Sequence, residues 1–197
     1  STLYHLLKFL STKNPSSDES QSNGGGLSHT TAILLAPPAE LRLLDLRENR
    51  IGDKGAMDLS TIISGKLSKL NHLFLDDNKI SAKGLTLLKQ SFLGDGQTNK
   101  ILQRLTLTMN PIHGSGDVLA DIIMGCQSLT DLDLSWTGLS KLGEKFREAL
   151  GESKNLLHLT ISHNYMSACE GDLLSRALSS NHTILGCHVT CGNAAAM

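Results

Sequence analysis

Aromatic side chains are scarce, at 4% of 197 residues, with one tryptophan, two tyrosines and four phenylalanines. That excludes a single large centre packed around rings. With 40% hydrophobic residues and leucine abundant, the composition fits a core of many small aliphatic layers. An excess of charge is also missing. The 18 basic and 19 acidic side chains leave a formal charge of -1, so no net field gathers a polyanion, and nucleic acid is not expected as a partner. The four cysteines, Cys126, Cys169, Cys187 and Cys191, lack the dense spacing of a disulfide scaffold; the cytoplasm, or the nucleus, is the expected compartment.

Long hydrophobic runs are absent. Ile33–Ala36 is cut off by Pro37 and Pro38, far short of the roughly 20 residues that span a bilayer. Leu3–Leu10 is not followed by a small-residue cleavage site, so neither a membrane partner nor a secretory leader is expected. The familiar chemical motifs are missing as well: no G-x-S-x-G, no Gly-Lys-Ser/Thr phosphate loop and no H-E-x-x-H helix occur. Gly24–Gly26 has no Lys-Ser/Thr after it and reads as linker. No catalysis and no cofactor are expected. The chain opens on Ser1, and is expected to be part of a longer protein and monomeric in isolation.

What is present is a repeat. Leu41, Leu44, Leu46, Asn49 and Ile51 set a frame that returns at Leu70, Leu73, Leu75, Asn78, Ile80, then at Leu102, Leu105, Leu107, Asn110, Ile112. Two further copies run Leu129, Leu132, Leu134, Thr137, Leu139 and Leu156, Leu159, Ile161, Asn164, Met166; a degenerate sixth uses Ile184, Cys187 and Val189. The copies start 29, 32, 27, 27 and 28 residues apart. In L-x-x-L-x-L the last two leucines are two apart and share one strand face, inward, while the residue between them points out. The asparagine stands where the chain turns away, and its amide can bond backbone of its own and the adjoining repeat as a ladder.

After each strand the apolar spacing turns helical: Ala56, Leu59 and Ile63 share a face, and similar segments are Gly84–Phe92, Gly116–Met124, Gly143–Leu150 and Gly171–Leu178. A glycine, Gly55 in the first, marks each expected helix entry, where lack of a β-carbon lets the turn pack against the strand. In the fifth repeat the glycine comes one residue late, which predicts a bulge or a shifted helix start. Upstream, residues 1–40 read as a helical cap or partial repeat, with short helices at Leu3–Leu10 and Leu27–Ala36 around a Ser-, Asn- and Gly-rich linker at about 11–26. Residues 94–100 read as a protruding convex-side loop, and 194–197 as a tail.

A strand and a helix in each unit of about 28 residues over 41–193 resemble the ribonuclease-inhibitor-like branch of the leucine-rich-repeat superfamily, which includes Ran GTPase-activating protein and the sensor ends of NOD-like receptors. The resemblance implies an α/β, right-handed solenoid bent into a horseshoe arc, with a parallel sheet on the concave face and helices on the convex face. It also implies a module that binds a protein partner. A GTPase-activating role of the Ran type follows only by analogy of fold; a structural part in a cytoskeletal assembly is the other alternative.

On such a solenoid the outward strand positions form columns. The central column holds Asp45, Phe74, Thr106, Asp133, Thr160 and His188; the next holds Arg47, Asp76, Thr108, Ser135, Ser162 and Thr190; the strand-end column holds Glu48, Asp77, Met109, Trp136, His163 and Cys191. Met109, Trp136 and His163 are therefore expected side by side, and exposed Trp and Met are common interface anchors. The blander expectation for Trp136 is that it tucks under the adjoining loop, since Thr137 replaces the asparagine there. Phe74 carries the same two expectations, tucked away as space filling or mid-sheet between Asp45 and Thr106 with its ring exposed unless a partner covers it. Asp76, Asp77 and Asp133 make the face mildly acidic, with Arg47, Arg50 and Arg104 on its edge. The expected protein-binding set is Asp45, Arg47, Phe74, Asp76, Asp77, Thr106, Met109, Asp133, Trp136 and His163. His158, His163, His188, Cys187 and Cys191 are zinc-compatible donors, but Cys187 fills an inward leucine position, so no metal is expected.

Overall fold

The computed structural model describes residues 41–66, 69–94 and 99–190. The expectations for 1–40, for 95–98 within the convex loop and for the tail lie outside the described residues. Among the described residues, six short strands alternate with five helices: β1 Leu43–Asp45, α1 Gly52–Lys66, β2 His72–Phe74, α2 Ala82–Leu93, β3 Arg104–Thr106, α3 Gly116–Gly125, β4 Asp131–Asp133, α4 Glu144–Glu152, β5 His158–Thr160, α5 Ala168–Ser179 and β6 Gly186–His188. The strands form one parallel sheet in sequence order, with Leu44, Leu73, Leu105, Leu132, Leu159 and Cys187 in direct register. The pattern explains the pairing: only this register stacks each inward leucine on the next, and a slip of one residue would turn every leucine outward. Parallel strands sit about 4.8 Å apart whereas packed helices need about 8–10 Å, so the stack bends with the sheet inside.

The core is one continuous aliphatic column between sheet and helices, in which Leu59, Leu85, Leu119, Phe146 and Leu150 are sealed against the inward leucines. Along its flank runs the asparagine ladder. The Asn110 carbonyl oxygen accepts from the N–H groups of Asn78 (3.2 Å) and Ile80 (2.9 Å), and its amide donates to Leu75 O (2.8 Å) and Leu107 O (3.0 Å). Asn78 serves Asn49 and Ile51 in the same way. Thr137 breaks the series. Its hydroxyl donates to Leu134 O at 2.7 Å and its N–H reaches Asn164, but it offers nothing to the preceding repeat, where Asn110 N and Ile112 N fall back on Leu107 O (3.3 Å) and Asn110 O (2.8 Å). Thr137→Asn should supply the missing acceptor and raise stability by about 1 kcal/mol. Thermal melting of the variant checks this; an unchanged or lower midpoint would mean the local turn already satisfies the rung.

The helix entries correct the glycine reading in two ways. Gly84 and Gly116 do need their missing β-carbon, but the crowding is not against the strand: at Gly84 it would lie 2.5 Å from Asp53 Oδ1 of the preceding repeat and 2.8 Å from Ile80 Cγ2 of its own, and at Gly116 it would run into the Leu142 carbonyl oxygen of the following repeat. Asp53 uses that space. It accepts from Ser81 N (2.8 Å), Ser81 Oγ (2.6 Å) and Gly84 N (3.1 Å), tying α2 to the preceding repeat. In the fifth repeat neither a bulge nor a shifted start occurs. Ser167 caps α5 one residue after Met166, as Ser81 caps α2 one residue after Ile80. Gly171 is in open space, and Glu170 takes the crowded position, buried, accepting from Leu142 N (2.8 Å) and Arg147 Nη1 (3.2 Å). Where the convex loop returns, Asn99 is anchored: its N–H reaches Gly125 O at 2.8 Å, and its carbonyl oxygen accepts from Gln127 N at 2.7 Å.

Candidate protein-binding face

Direct register puts the expected columns where alternation placed them: Asp45, Phe74, Thr106, Asp133, Thr160 and His188 pair in series across the sheet. In the next column Ser135 and Ser162 are buried, because their hydroxyls fold back onto Asp133 Oδ1 (2.7 Å) and His188 O (3.1 Å). A further outward column, Leu43, His72, Arg104, Asp131, His158 and Gly186, was not read from the sequence. The signal was present. These residues directly precede the second leucine of each motif and must alternate with it. Arg104 accordingly stands on β3 itself, not at the rim, and pairs with Asp131 at 2.9 Å.

Together the columns enclose a shallow hollow of about 330 Å³, lined by Arg47, Phe74, Asp76, Thr106 and Asp133, among others. Phe74 is half-buried rather than bare. The Arg47 guanidinium lies 5.5 Å over its ring and is fixed there by Asp45, with Nε and Nη2 donating at 2.9 and 2.6 Å. The hydrogen bond from Arg47 holds the Asp45 carboxyl below its ordinary pKa. Arg47 is thus engaged by its own chain.

Asp76 differs. Burial, helped by the nearby Asp133 charge, pushes its carboxyl above the usual carboxylate range against the hydrogen bonds it accepts from Thr106 Oγ1 (3.0 Å) and Thr108 N (2.9 Å). A carboxyl with a raised folded-state pKa binds its proton more tightly folded than unfolded. Stability therefore rises as pH falls through that window and is lost as pH rises, so ionised Asp76 is a burden at neutral pH. In Asp76→Asn the amide oxygen still accepts from Thr108 and the amide nitrogen donates to Thr106. The variant should melt at or above the parent temperature at pH 7, with the advantage shrinking in acid; a clearly lower midpoint at pH 7 would refute the burial account.

The strand-end residues share a backbone state. Glu48, Asp77, Met109, Trp136 and His163 all have φ between 48° and 59°, a left-handed conformation costing a non-glycine residue about 1 kcal/mol or more. Each N–H still bonds the next repeat, as in Trp136 N to Ser162 O at 3.0 Å, so the side chains flare from the rim. Trp136 is not tucked under a loop. It is 48% exposed beside Met109 at 53%, and its rings stack on His163 with centroids 4.3 Å apart and planes 14° apart. The rim changes character along the arc, from Glu48, Arg50, Asp77 and Lys79 in the first two repeats to Met109, Trp136, His163 and Tyr165 in the next three.

Among the described residues, the candidate zinc donors His158, His163, His188 and Cys187 form no metal-holding group. Cys187 points inward and is part-buried, His163 is occupied with Trp136, and among the described residues no three His, Cys, Asp or Glu side chains are placed to hold a metal. Cys191 lies outside the described residues. Cys126 is fully buried, and burial pushes its thiol pKa up to about 12. No described helix is long and apolar enough to cross a membrane.

Comparison with known proteins agrees with this architecture. Residues 41–60 and 125–143 match the family described as Leucine Rich repeat. The chain is 32% identical to mouse (Mus musculus) Tonsoku-like protein over 138 residues, which is 65% of this chain and 10% of that protein. It is 26% identical to Protein CARMIL of Dictyostelium discoideum over 149 residues, 72% of this chain and 14% of that protein. The chain thus spans only a small part of the length of either relative. Among solved structures, the tropomodulin C-terminal domain of Caenorhabditis elegans superposes with a TM-score of 0.51 at 19% identity, over 72% of this chain and 84% of that one; the likeness is one of fold. With its motif matched in two copies and its strand, asparagine turn and helix recurring through the described residues, this chain has the fold of a leucine-rich-repeat solenoid.

Proposed function

We propose that the chain is a non-catalytic interaction module that recognises a protein partner through its concave sheet and adjoining rim, in the cytoplasm or nucleus. The observation that carries this is the exposed Trp136–His163 stack beside Met109. A tryptophan held in a left-handed turn, half uncovered and flanked by another exposed apolar side chain, gains little for the isolated fold, whereas such side chains serve as interface anchors. The contact set is Asp45, Arg47, Phe74, Asp76, Asp77, Thr106, Met109, Asp133, Trp136 and His163, with Asp45 and Arg47 acting by shaping the Phe74 wall.

The test is affinity purification from native lysate with mass spectrometry, comparing the parent chain with Phe74→Ala/Trp136→Ala. Both side chains lie outside the sealed core, so the variant should melt close to the parent. A partner lost only with the variant is the expected result. If that partner is a small GTPase, a hydrolysis assay tests an activating role. Partners equally retained by both would move recognition to the convex side, where Glu144, Glu148, Arg147 and Arg176 line an open groove between α4 and α5 and where a part in a cytoskeletal assembly would seat its contacts.

A further inference from the structure

We propose that the partner segment received by the concave face is an extended, basic stretch of protein, carrying a lysine or arginine that enters the hollow and a large apolar side chain about three residues away that lies on Met109 and Trp136. This rests on the reading of that face as the binding surface and adds the chemistry of what it binds.

Negative charge is left over on the concave face. The three outward columns contain four carboxylates, Asp45, Asp76, Asp131 and Asp133, and two guanidinium groups, Arg47 and Arg104. Both guanidinium groups are already paired, Arg47 with Asp45 at 2.6 Å and Arg104 with Asp131 at 2.9 Å. Asp76 and Asp133 have no ion-pair partner among the described residues and receive only hydroxyl and backbone N–H donors. Asp133 uses a single oxygen for Ser135, leaving Oδ2 unbonded. Two uncompensated carboxylates on one hollow, with the Phe74 ring as a wall, suit a long side chain whose stem is apolar and whose head is cationic. The same charges repel a phosphate backbone.

The second anchor follows from position. Trp136 lies three residues beyond Asp133 along the same repeat, about 10 Å from the hollow, which an extended chain covers in about three residues. A segment running along the repeat from the hollow to the rim can therefore seat a cation and an apolar group together, and the mixed surface prefers that to a wholly apolar or acidic one.

The experiment is selection of phage-displayed random dodecapeptides on the immobilised full chain, in parallel with Asp76→Asn/Asp133→Asn and with Phe74→Ala/Trp136→Ala, each checked for parent-like thermal melting. The expected outcome is enrichment of peptides with arginine or lysine about three residues from an aromatic or aliphatic residue, lost on both variants. Free copies of those peptides should bind the Asn variant about tenfold or more weakly, and bind the parent less tightly as salt rises. Peptides without basic residues, peptides lost on Phe74→Ala/Trp136→Ala but kept on Asp76→Asn/Asp133→Asn, or no enrichment at all would overturn the basic-segment inference. The second of these would leave the concave reading standing, whereas peptides indifferent to both variants would sink both.

Discussion

Leu132→Asp should unfold at least the third, fourth and fifth repeats at room temperature. Leu132 is the inward residue of β4, 2% exposed, in register with Leu105 and Leu159 and packed in the central aliphatic column. The substitution forfeits about 2 kcal/mol of apolar burial and puts a carboxyl where no donor is available, a further cost of several kcal/mol whether it stays charged or takes up a proton. A domain of this size has about 5–15 kcal/mol in total. Because repeats interact only with their neighbours, the loss falls first on those touching β4. Circular dichroism with urea should show an early transition, and hydrogen exchange should show protection lost in β3, β4 and β5. Leu43 provides the contrast. It belongs to the same type of motif but stands in an outward column, 48% exposed, so Leu43→Asp should leave the unfolding free energy from urea titration within about 0.5 kcal/mol of the parent. Equal effects of the two substitutions would contradict the assignment of inward and outward positions.

That contrast shows what the sequence could and could not convey. Inward and outward positions were legible because a strand side chain has only two choices and the recurring leucines settle which is which; the neighbourhood of Met109, Trp136 and His163 followed from counting equal steps along a stack. Helix entry is less legible, because a glycine recurs near each entry while serine at Ser81 and Ser167 is the cap, and Gly84 and Gly116 answer chiefly to crowding from another repeat some 30 residues away in the chain. The state of Phe74 was not legible at all. Whether Arg47 reaches over the ring or out to solvent depends on its rotamer and on Asp45, and no periodicity encodes that choice. Thr137 was visible as an irregularity, but its consequence falls on the rung at Asn110 rather than on Trp136.

Asn164→Ala should cost about 3–6 kcal/mol, far more than its loss of volume. The side chain is fully buried, and its carbonyl oxygen accepts from Thr137 N and Leu139 N at 3.0 Å each while its amide donates to Leu134 O (2.8 Å) and Ile161 O (3.0 Å). Alanine would strand two N–H groups and the Ile161 carbonyl, while Leu134 O keeps the Thr137 hydroxyl, at about 1–3 kcal/mol apiece before water or local movement recovers part. Asn49 occupies the same motif position in the first repeat but is only part-buried, and its amide donates within its own turn, to Leu46 O and Arg47 O; Asn49→Ala should cost about 1 kcal/mol. Urea midpoints of the two variants decide the matter, and equal costs would mean the ladder does not couple repeats. If the ladder does couple them, its gap at Thr137 has a consequence of its own. Repeats four and five are joined by a full set of cross-repeat bonds at Asn164, and so are one to two and two to three, whereas the seam between three and four lacks the asparagine acceptor. Hydrogen exchange under mild denaturant should therefore show the chain opening as two blocks that part at that seam.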